Sequence, residues 1–135
     1  IAGYSITNGG SIRDWQLATT QWTMGKNFDK SGSIGPEIVS ADELPRGARG
    51  LRIQTRLNGK VMQDDTTDSM MFDLPTLIAY LSQAVKLEVG DLILTGTPSG
   101  VGITRKPPVL MAAGDLCEVE IEQIGILSNR IERES

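Results

Sequence analysis

The sequence predicts an α+β fold that is rich in β-strands and contains one main amphipathic helix. Residues 51–57 and 60–63 are strand-like runs separated by Asn58-Gly59, a dipeptide that favours a two-residue hairpin because both turn positions need positive φ. Residues 73–86 carry apolar side chains at sustained helical spacing. The chain shows no repeat period and no regular alternation of strands with helices, so a parallel βαβ architecture is not expected.

The N-terminal third begins with a predicted strand over residues 2–7. Asn8-Gly9-Gly10 then leads into a short helix. Ser11 is predicted to cap its N-terminus, and Asp14, three residues later, is predicted to complete the capping box by bonding back to Ser11. Residues 32–36 and 45–50 are rich in glycine, proline or polar residues and are predicted to be loops, with a possible single helical turn at residues 41–44.

The main helix is predicted over residues 73–86, with Asp73 as its cap and Pro75 in its first turn, where a missing N–H does no harm. Its apolar stripe is predicted to be a buried packing face, and it consists of Leu74, Leu77, Ile78, Leu81 and Val85. A buried strand is predicted at residues 92–95, before the glycine-rich turn 96–100. Two further strands are predicted at residues 116–123 and 126–131.

Composition excludes several classes of function. The chain has 135 residues, a net charge of −4 and no histidine, so a nucleic-acid partner is not expected and Ser-His-Asp or Cys-His catalysis is excluded within it. No apolar run approaches the roughly 20 residues that span a membrane. The single cysteine, Cys117, is interpreted as a small core residue in a reducing compartment.

The chain starts at Ile1 directly on strand-like sequence. We therefore expect residues 1–135 to be the C-terminal portion of a single domain whose N-terminal part is absent. The expected location is the cytoplasm, or the mitochondrion if a targeting segment lies outside this stretch.

Polar residues that could bind an anion follow the first strand and the buried strand at 92–95. Arg13 and Gln16 are three residues apart and would lie on one face of the short helix, and Lys26 stands between two small or polar residues. Thr97 lies in the glycine-rich turn. Arg13, Lys26 and Thr97 also have ordinary structural interpretations, in which Arg13 pairs with Asp14 or a carboxylate elsewhere, Lys26 is a solvated lysine and Thr97 is a turn residue.

Two groups of carboxylates have spacings that resemble metal sites. The first is Asp64, Asp65 and Asp68, which follow the hairpin and are interpreted as solvated, capping or dimer-contact residues. The second is Glu118, Glu120 and Glu122, which alternate along a strand and are therefore predicted to face outward. Neither group is predicted to bind a metal.

Five segments of the chain, taken in order, resemble the C-terminal part of the fumarylacetoacetate hydrolase family. They are GYSITNGGSIRDWQ, GKNFD, LRIQTRLNGKVMQDDTTDSMMFDLPTLIAYLSQ, GDLILTGTPSGVG and GDLCEVEIEQIGILSNRI. The resemblance implies a mixed β-roll, a homodimer, a bound Mg²⁺ or Mn²⁺ and a small 2-oxo acid as substrate. It implies hydrolytic cleavage of a carbon–carbon bond in an acylpyruvate-type acid. The alternatives within the family are decarboxylation of oxaloacetate-like acids and isomerisation of dioic acids.

The resemblance also implies roles for the polar residues. Lys26 would stabilise the enolate as a catalytic residue, and Gln16 would bind substrate or order a water. Arg13 would hold a carboxylate or brace the loop, and Thr97 would donate its hydroxyl to the substrate carboxylate. These roles are physically reasonable because charge develops on the carbonyl oxygen when a bond next to it breaks, and fixed cations stabilise that charge.

Gly9 departs from the family pattern. The family places an acidic metal ligand directly after the asparagine, where this chain has Gly9 after Asn8, and its Glu-x-Glu pair of ligands has no counterpart here. The metal ligands are therefore expected mostly outside this chain. Three hypotheses follow: an enzyme completed by an upstream portion, a catalytically degenerate scaffold, or a binding protein for organic acids.

Overall fold

The computed structural model describes residues 1–133, which form two antiparallel sheets and one main helix. Strands β1 (Gly3–Gly9) and β2 (Gly32–Ser40) form the two-stranded sheet. The four-stranded sheet has the order β4-β3-β5-β6, with β3 at Arg52–Leu57, β4 at Lys60–Thr66, β5 at Leu116–Ile121 and β6 at Gly125–Arg130. The helices are α1 (Arg13–Gln16) and α2 (Leu74–Ala84), with short 3₁₀ helices at Trp22–Lys26, Arg46–Ala48, Thr67–Ser69 and Gly102–Thr104. The predicted β-rich α+β class with one main helix is confirmed.

The predicted hairpin is present between β3 and β4. Asn58 and Gly59 have φ values of 51° and 77°, as a two-residue turn with positive φ at both positions requires. The flanking residues Leu57 and Lys60 pair directly across the turn.

The core lies where the β1–β2 sheet packs on the β5–β6 half of the larger sheet. Its most buried members are Ile6 and Leu51, and it also contains Leu44, Ala48, Val119, Ile124 and Leu127. Along β5, Cys117 and Val119 are buried while the residues between them are more exposed, as a period of two requires. The interpretation of Cys117 as a core residue is confirmed, and burial raises the pKa of its thiol.

Strand β2 was not predicted, because residues 32–36 were interpreted as a loop. In the structure residues 32–35 pair with residues 6–9 of β1, and the last of these pairs is Ile6↔Gly35. Pairing resumes beyond the irregularity with Tyr4↔Val39. Pro36 lies in the bulge between these pairs, where a residue without an N–H is tolerated. The turn-forming composition therefore marks an irregularity within a strand.

The prediction of a buried strand at residues 92–95 is wrong for the part of the chain that the structure describes. These residues belong to no strand, and Leu92 and Leu94 are 61% and 62% exposed. A strand exists only where a neighbour satisfies its backbone groups, and no neighbour is present among residues 1–133.

The main helix is present, and its predicted cap is confirmed by the hydrogen bond that the Thr76 amide donates to Asp73 Oδ1 at 3.0 Å. The prediction that its apolar stripe is buried is wrong: no helix residue is buried, and Val85 at the C-terminal end is 54% exposed. The spacing correctly located the apolar face, but neither sheet packs closely against it. No helix within residues 1–133 combines the length and apolarity needed to cross a membrane.

Candidate active site

Close packing of α1 on the 3₁₀ helix Trp22–Lys26 builds the corner that carries three of the predicted site residues. The contact passes through Gly25, which is buried and whose carbonyl accepts a 2.9 Å hydrogen bond from the Ile12 amide. A Cβ at this position would stand 2.6 Å from both the Cα and the N of Gln16. Only glycine permits this approach of two backbones, so Gly25 fixes the distance between α1 and Lys26.

The predicted cap of α1 is wrong. The residue at the N-cap position is Ile12, and no side chain caps the helix. A helix of one turn gains little stability from its own hydrogen bonds, so packing determines its position. Besides Gly25, that packing includes Trp15, whose ring meets Phe28 edge to face with centroids 5.5 Å apart.

Arg13 and Gln16 lie on one side of α1, as their spacing predicted, and in the structure they also interact directly. Arg13 Nη1 donates a hydrogen bond to Gln16 Oε1, and Gln16 is buried, with 4% of its surface exposed. The bond leaves the Gln16 amide nitrogen as the group available to a ligand. Arg13 Nε is buried and has no hydrogen-bond partner among residues 1–133, so the guanidinium retains donor capacity.

Lys26 completes the cluster from the adjoining 3₁₀ helix. Its Nζ donates a 2.8 Å hydrogen bond to the carbonyl oxygen of Gly9 at the end of β1. The pKa of Lys26 is lowered, first by desolvation around the ammonium and then by the positive charge of Arg13. Neither cation forms a salt bridge within the described chain, and the alternative pairing of Arg13 with Asp14 does not occur there.

This arrangement concentrates uncompensated positive charge on one small surface. Two neighbouring cations without an acidic partner gain free energy from an anion placed between or beside them. The buried amide of Gln16 adds a neutral hydrogen-bond donor with a fixed orientation. The cluster, defined here as Arg13, Gln16 and Lys26, is therefore suited to bind carboxylate and carbonyl oxygens.

Thr97 lies on a loop that Gln63 holds to β4. Gln63 Nε2 donates to Thr97 Oγ1 at 2.8 Å and to the carbonyl oxygen of Pro98 at 2.6 Å. Because the Thr97 hydroxyl accepts this bond, its own proton remains available to a ligand. Among the described residues no hydrogen bond links Thr97 to Arg13, Gln16 or Lys26.

Gln63 was missed by sequence reasoning although it is buried, with 8% of its surface exposed. It pairs with Thr55, which in turn pairs with Val119, and directly opposed residues lie on the same face of a sheet. Gln63 therefore faces the core side of the sheet, and a polar residue at a core position is the signal that could have identified it. Arg105 also anchors this loop, through bonds to the carbonyls of Gly100 and Met62.

The described residues do not fit a complete Mg²⁺ or Mn²⁺ site. No three acidic, histidine or cysteine side chains in residues 1–133 gather closely enough to hold a metal ion. Gly9, at the position of the expected acidic ligand, has no side-chain oxygen.

The three aspartates that follow the hairpin have local partners. Asp64 pairs with Arg52 at 2.6 Å and Asp68 with Arg49 at 3.0 Å. The pKa of Asp65 is lowered by hydrogen bonds from Ser69 and the Thr66 amide.

The glutamates of β5 lie outside the cluster. Glu118 and Glu120 both contact Arg56 of the neighbouring strand. Their position opposite the buried side chains of β5 confirms the prediction that they face outward.

Comparison with known proteins gives consistent matches over nearly the whole chain. Residues 1–132 match the family model described as fumarylacetoacetate (FAA) hydrolase C-terminal. The chain is 43% identical over 133 residues to the Bos taurus protein named oxaloacetate tautomerase FAHD2A, mitochondrial, covering 97% of this chain and 42% of that protein. A Rattus norvegicus protein of the corresponding name is 42% identical over 132 residues, with the same coverage.

Solved structures agree with the sequence matches. A fumarylacetoacetate hydrolase from Exiguobacterium antarcticum superposes with a TM-score of 0.92 at 40% identity, covering 98% of this chain and 47% of that one. A 2-hydroxyhepta-2,4-diene-1,7-dioate isomerase from Mycobacterium marinum gives 0.86 at 38% identity, covering 100% and 49%. The chain thus spans less than half the length of these relatives.

Proposed function

Because this chain belongs to the fumarylacetoacetate hydrolase family, we propose that it forms the C-terminal portion of a catalytic domain that binds a small 2-oxo acid and stabilises its enolate. One observation carries the proposal. Arg13 and Lys26 lie beside the buried amide of Gln16, and neither cation has an acidic partner among the described residues.

The proposed chemistry follows from where charge develops. Breaking a bond to the carbon next to a carbonyl moves an electron pair onto the carbonyl oxygen and gives an enolate. The Lys26 ammonium stabilises that oxygen, and its lowered pKa makes it a better proton donor than an ordinary lysine. Arg13 binds the substrate carboxylate. Gln16, which Arg13 holds in place by a hydrogen bond, donates its amide N–H to the substrate and orients it. Thr97, on its own loop, is proposed as a further carboxylate donor.

Oxaloacetate is the proposed substrate to test first, because relatives that are 42–43% identical are named oxaloacetate tautomerases. In keto–enol interconversion C3 gives its proton to a base, the C3–H electron pair forms the C2=C3 double bond, the carbonyl π pair moves onto the C2 oxygen and that oxygen gains a proton, so no atom is lost. The hydrolysis of acylpyruvate-type acids predicted from the sequence, oxaloacetate decarboxylation and dioic-acid isomerisation are the alternatives. All of them develop negative charge on the same kind of oxygen.

The test compares Lys26→Met with Lys60→Met in the full-length protein. Lys60 is an exposed lysine at the start of β4 and serves as the matched control. Each variant is assayed for oxaloacetate keto–enol interconversion, for decarboxylation and for acylpyruvate cleavage. Loss of one stabilising donor at a developing oxyanion costs about 100- to 1,000-fold in kcat, so Lys26→Met is expected to lose at least ~100-fold and Lys60→Met to retain wild-type activity.

Retention of near-wild-type kcat by Lys26→Met would overturn the assignment. A wild-type protein that turns over none of these acids, yet binds oxalate in a manner lost in Lys26→Met, would support the alternatives of an organic-acid binding protein or a degenerate scaffold. Oxalate is the appropriate probe because its geometry resembles that of the pyruvate enolate.

The cofactor of the whole protein is proposed to be Mg²⁺ or Mn²⁺, on the family resemblance alone. Since residues 1–133 do not assemble its ligands, these ligands are proposed to come from other parts of the whole protein. No step described above passes through the metal.

A homodimer and a mitochondrial location are further proposals. The apolar face of α2 exposes Val85, and the segment that follows the helix exposes Val89 and Leu92, which supports contact of this face with further polypeptide. Sedimentation of the full-length protein tests whether that polypeptide is a second copy. The mitochondrion is preferred to the predicted cytoplasm because the cattle and rat relatives are named mitochondrial.

A further inference from the structure

Asn129 of β6 joins the two sheets next to the cluster. Its Oδ1 accepts a 3.1 Å hydrogen bond from Asn8 Nδ2 of β1 and a 2.9 Å hydrogen bond from Ser33 Oγ of β2. Asn8 and Ser33 are direct partners in the β1–β2 ladder. Both bonds cross from one sheet to the other, and Asn8 forms a further side-chain hydrogen bond with Cys117 of β5.

The next pair of the same ladder is Gly9↔Gly32, and the Gly9 carbonyl is the acceptor for Lys26 Nζ. Neither glycine has a side chain with which to anchor this end of the sheet, and glycine has the greatest backbone freedom of any residue. The position of the Gly9 carbonyl therefore depends on the preceding pair, which Asn129 holds.

We propose that Asn129 is a positioning residue. It fixes the end of the β1–β2 sheet to β6 and so sets the position of the Gly9 carbonyl, which holds the Lys26 ammonium in the cluster. The expected effect of Asn129 on catalysis rests on the proposed function. The geometric consequence, the placement of the ammonium, can be measured without any substrate.

An asparagine is suited to this role because one carbonyl oxygen has two lone pairs and can serve both donors. Aspartate keeps that acceptor, whereas leucine has a similar volume and no acceptor. Asn129 is only partly buried, and it pairs across the ladder with the buried Cys117, so its side chain lies at the edge of the core.

The experiment compares Asn129→Leu and Asn129→Asp with Ser5→Ala, all in the full-length protein. Ser5 is the matched control because its Oγ donates to the carbonyls of Gly35 and Glu37, within the same sheet but away from Gly9. Displacement of a catalytic group by about 1 Å can cost ~100-fold in rate. We therefore expect Asn129→Leu to lose about tenfold or more in kcat with a smaller change in KM, and the other two variants to stay near wild type.

The second readout is the ¹⁵N resonance of the Lys26 ammonium, assigned by its absence from Lys26→Met. Asn129→Leu is expected to move this resonance, whereas Ser5→Ala leaves it in place. If Asn129→Leu does not fold, Ser33→Ala removes one of the two bonds and is expected to move the resonance less, in the same direction.

The outcomes separate the two proposals. If the wild type turns over no 2-oxo acid, the proposed function fails, and the resonance alone decides the inference. An unchanged Lys26 resonance in folded Asn129→Leu or Ser33→Ala, or an equal shift in Ser5→Ala, would overturn the positioning role.

Discussion

Replacing Gly25 by alanine is expected to open the contact between α1 and the 3₁₀ helix that carries Lys26. The added Cβ would stand 2.6 Å from the Cα and N of Gln16. Favourable contacts between carbon atoms lie at about 3.5–4.0 Å, so α1 must move by about 1 Å, since the obstruction is backbone and no rotamer change relieves it. Overpacking of this kind costs about 1–3 kcal/mol.

The same displacement is expected to lower activity. The Ile12 amide is bonded to the Gly25 carbonyl, so a shift here moves Arg13 and Gln16 relative to Lys26. A misplacement of about 1 Å in a catalytic group can cost ~100-fold in rate. The measurements are urea unfolding at equilibrium and kcat/KM on the substrate established for the wild type.

Gly32→Ala is the matched control. A Cβ on Gly32 meets no atom within 4 Å, and this glycine does not require a positive φ. Its free energy of unfolding is expected to stay within about 0.5 kcal/mol of the wild type. Equal free energies of unfolding for Gly25→Ala and Gly32→Ala would refute the role of Gly25 in this packing.

Two further predictions concern the charge on Lys26, and both are measured by ¹⁵N titration of its ammonium. Gly9→Asp is expected to fold, because its Cβ would meet only Lys26 Nζ, at 3.8 Å. It is expected to raise the pKa of Lys26, since it adds a negative charge beside the ammonium. A lowered pKa of Lys26 would contradict this. Arg13→Gln removes the second cause of the lowered pKa, so the Lys26 pKa is expected to rise towards that of an ordinary lysine, although desolvation remains. Because the folded-state pKa of Lys26 lies below its unfolded value, this group makes stability increase with pH between those two values. Arg13→Gln should narrow the pH range over which Lys26 makes the stability rise. An unchanged range would show that Arg13 does not act on Lys26.

The candidate site was predictable in part because two of its contacts are local. Arg13 and Gln16 are three residues apart, and one turn of helix places them together whatever the rest of the fold does. Lys26 was predicted through the family motif that carries it. Its bond to Gly9, 17 residues earlier in the chain, needed the packing of α1 through Gly25 and could not be read from spacing.

Other contacts near the site depend on residues far apart in sequence. Gln63 reaches Thr97 across 34 residues and Asn129 reaches Asn8 across 121. The alternation of a single strand shows which residues share a face, but it does not show which face meets another sheet. Both side chains therefore appeared as ordinary polar residues of strands.

Several elements follow from interactions between residues close together in the sequence. Asn58-Gly59 required the hairpin, Asp73 capped the main helix, and alternation placed Glu118 and Glu120 on the outer face. Tertiary structure decided that residues 32–40 form a strand and that residues 92–95 have no partner among those described. The reason is that local backbone preferences act within a few residues, whereas strand pairing and burial require a second segment whose position no local pattern specifies.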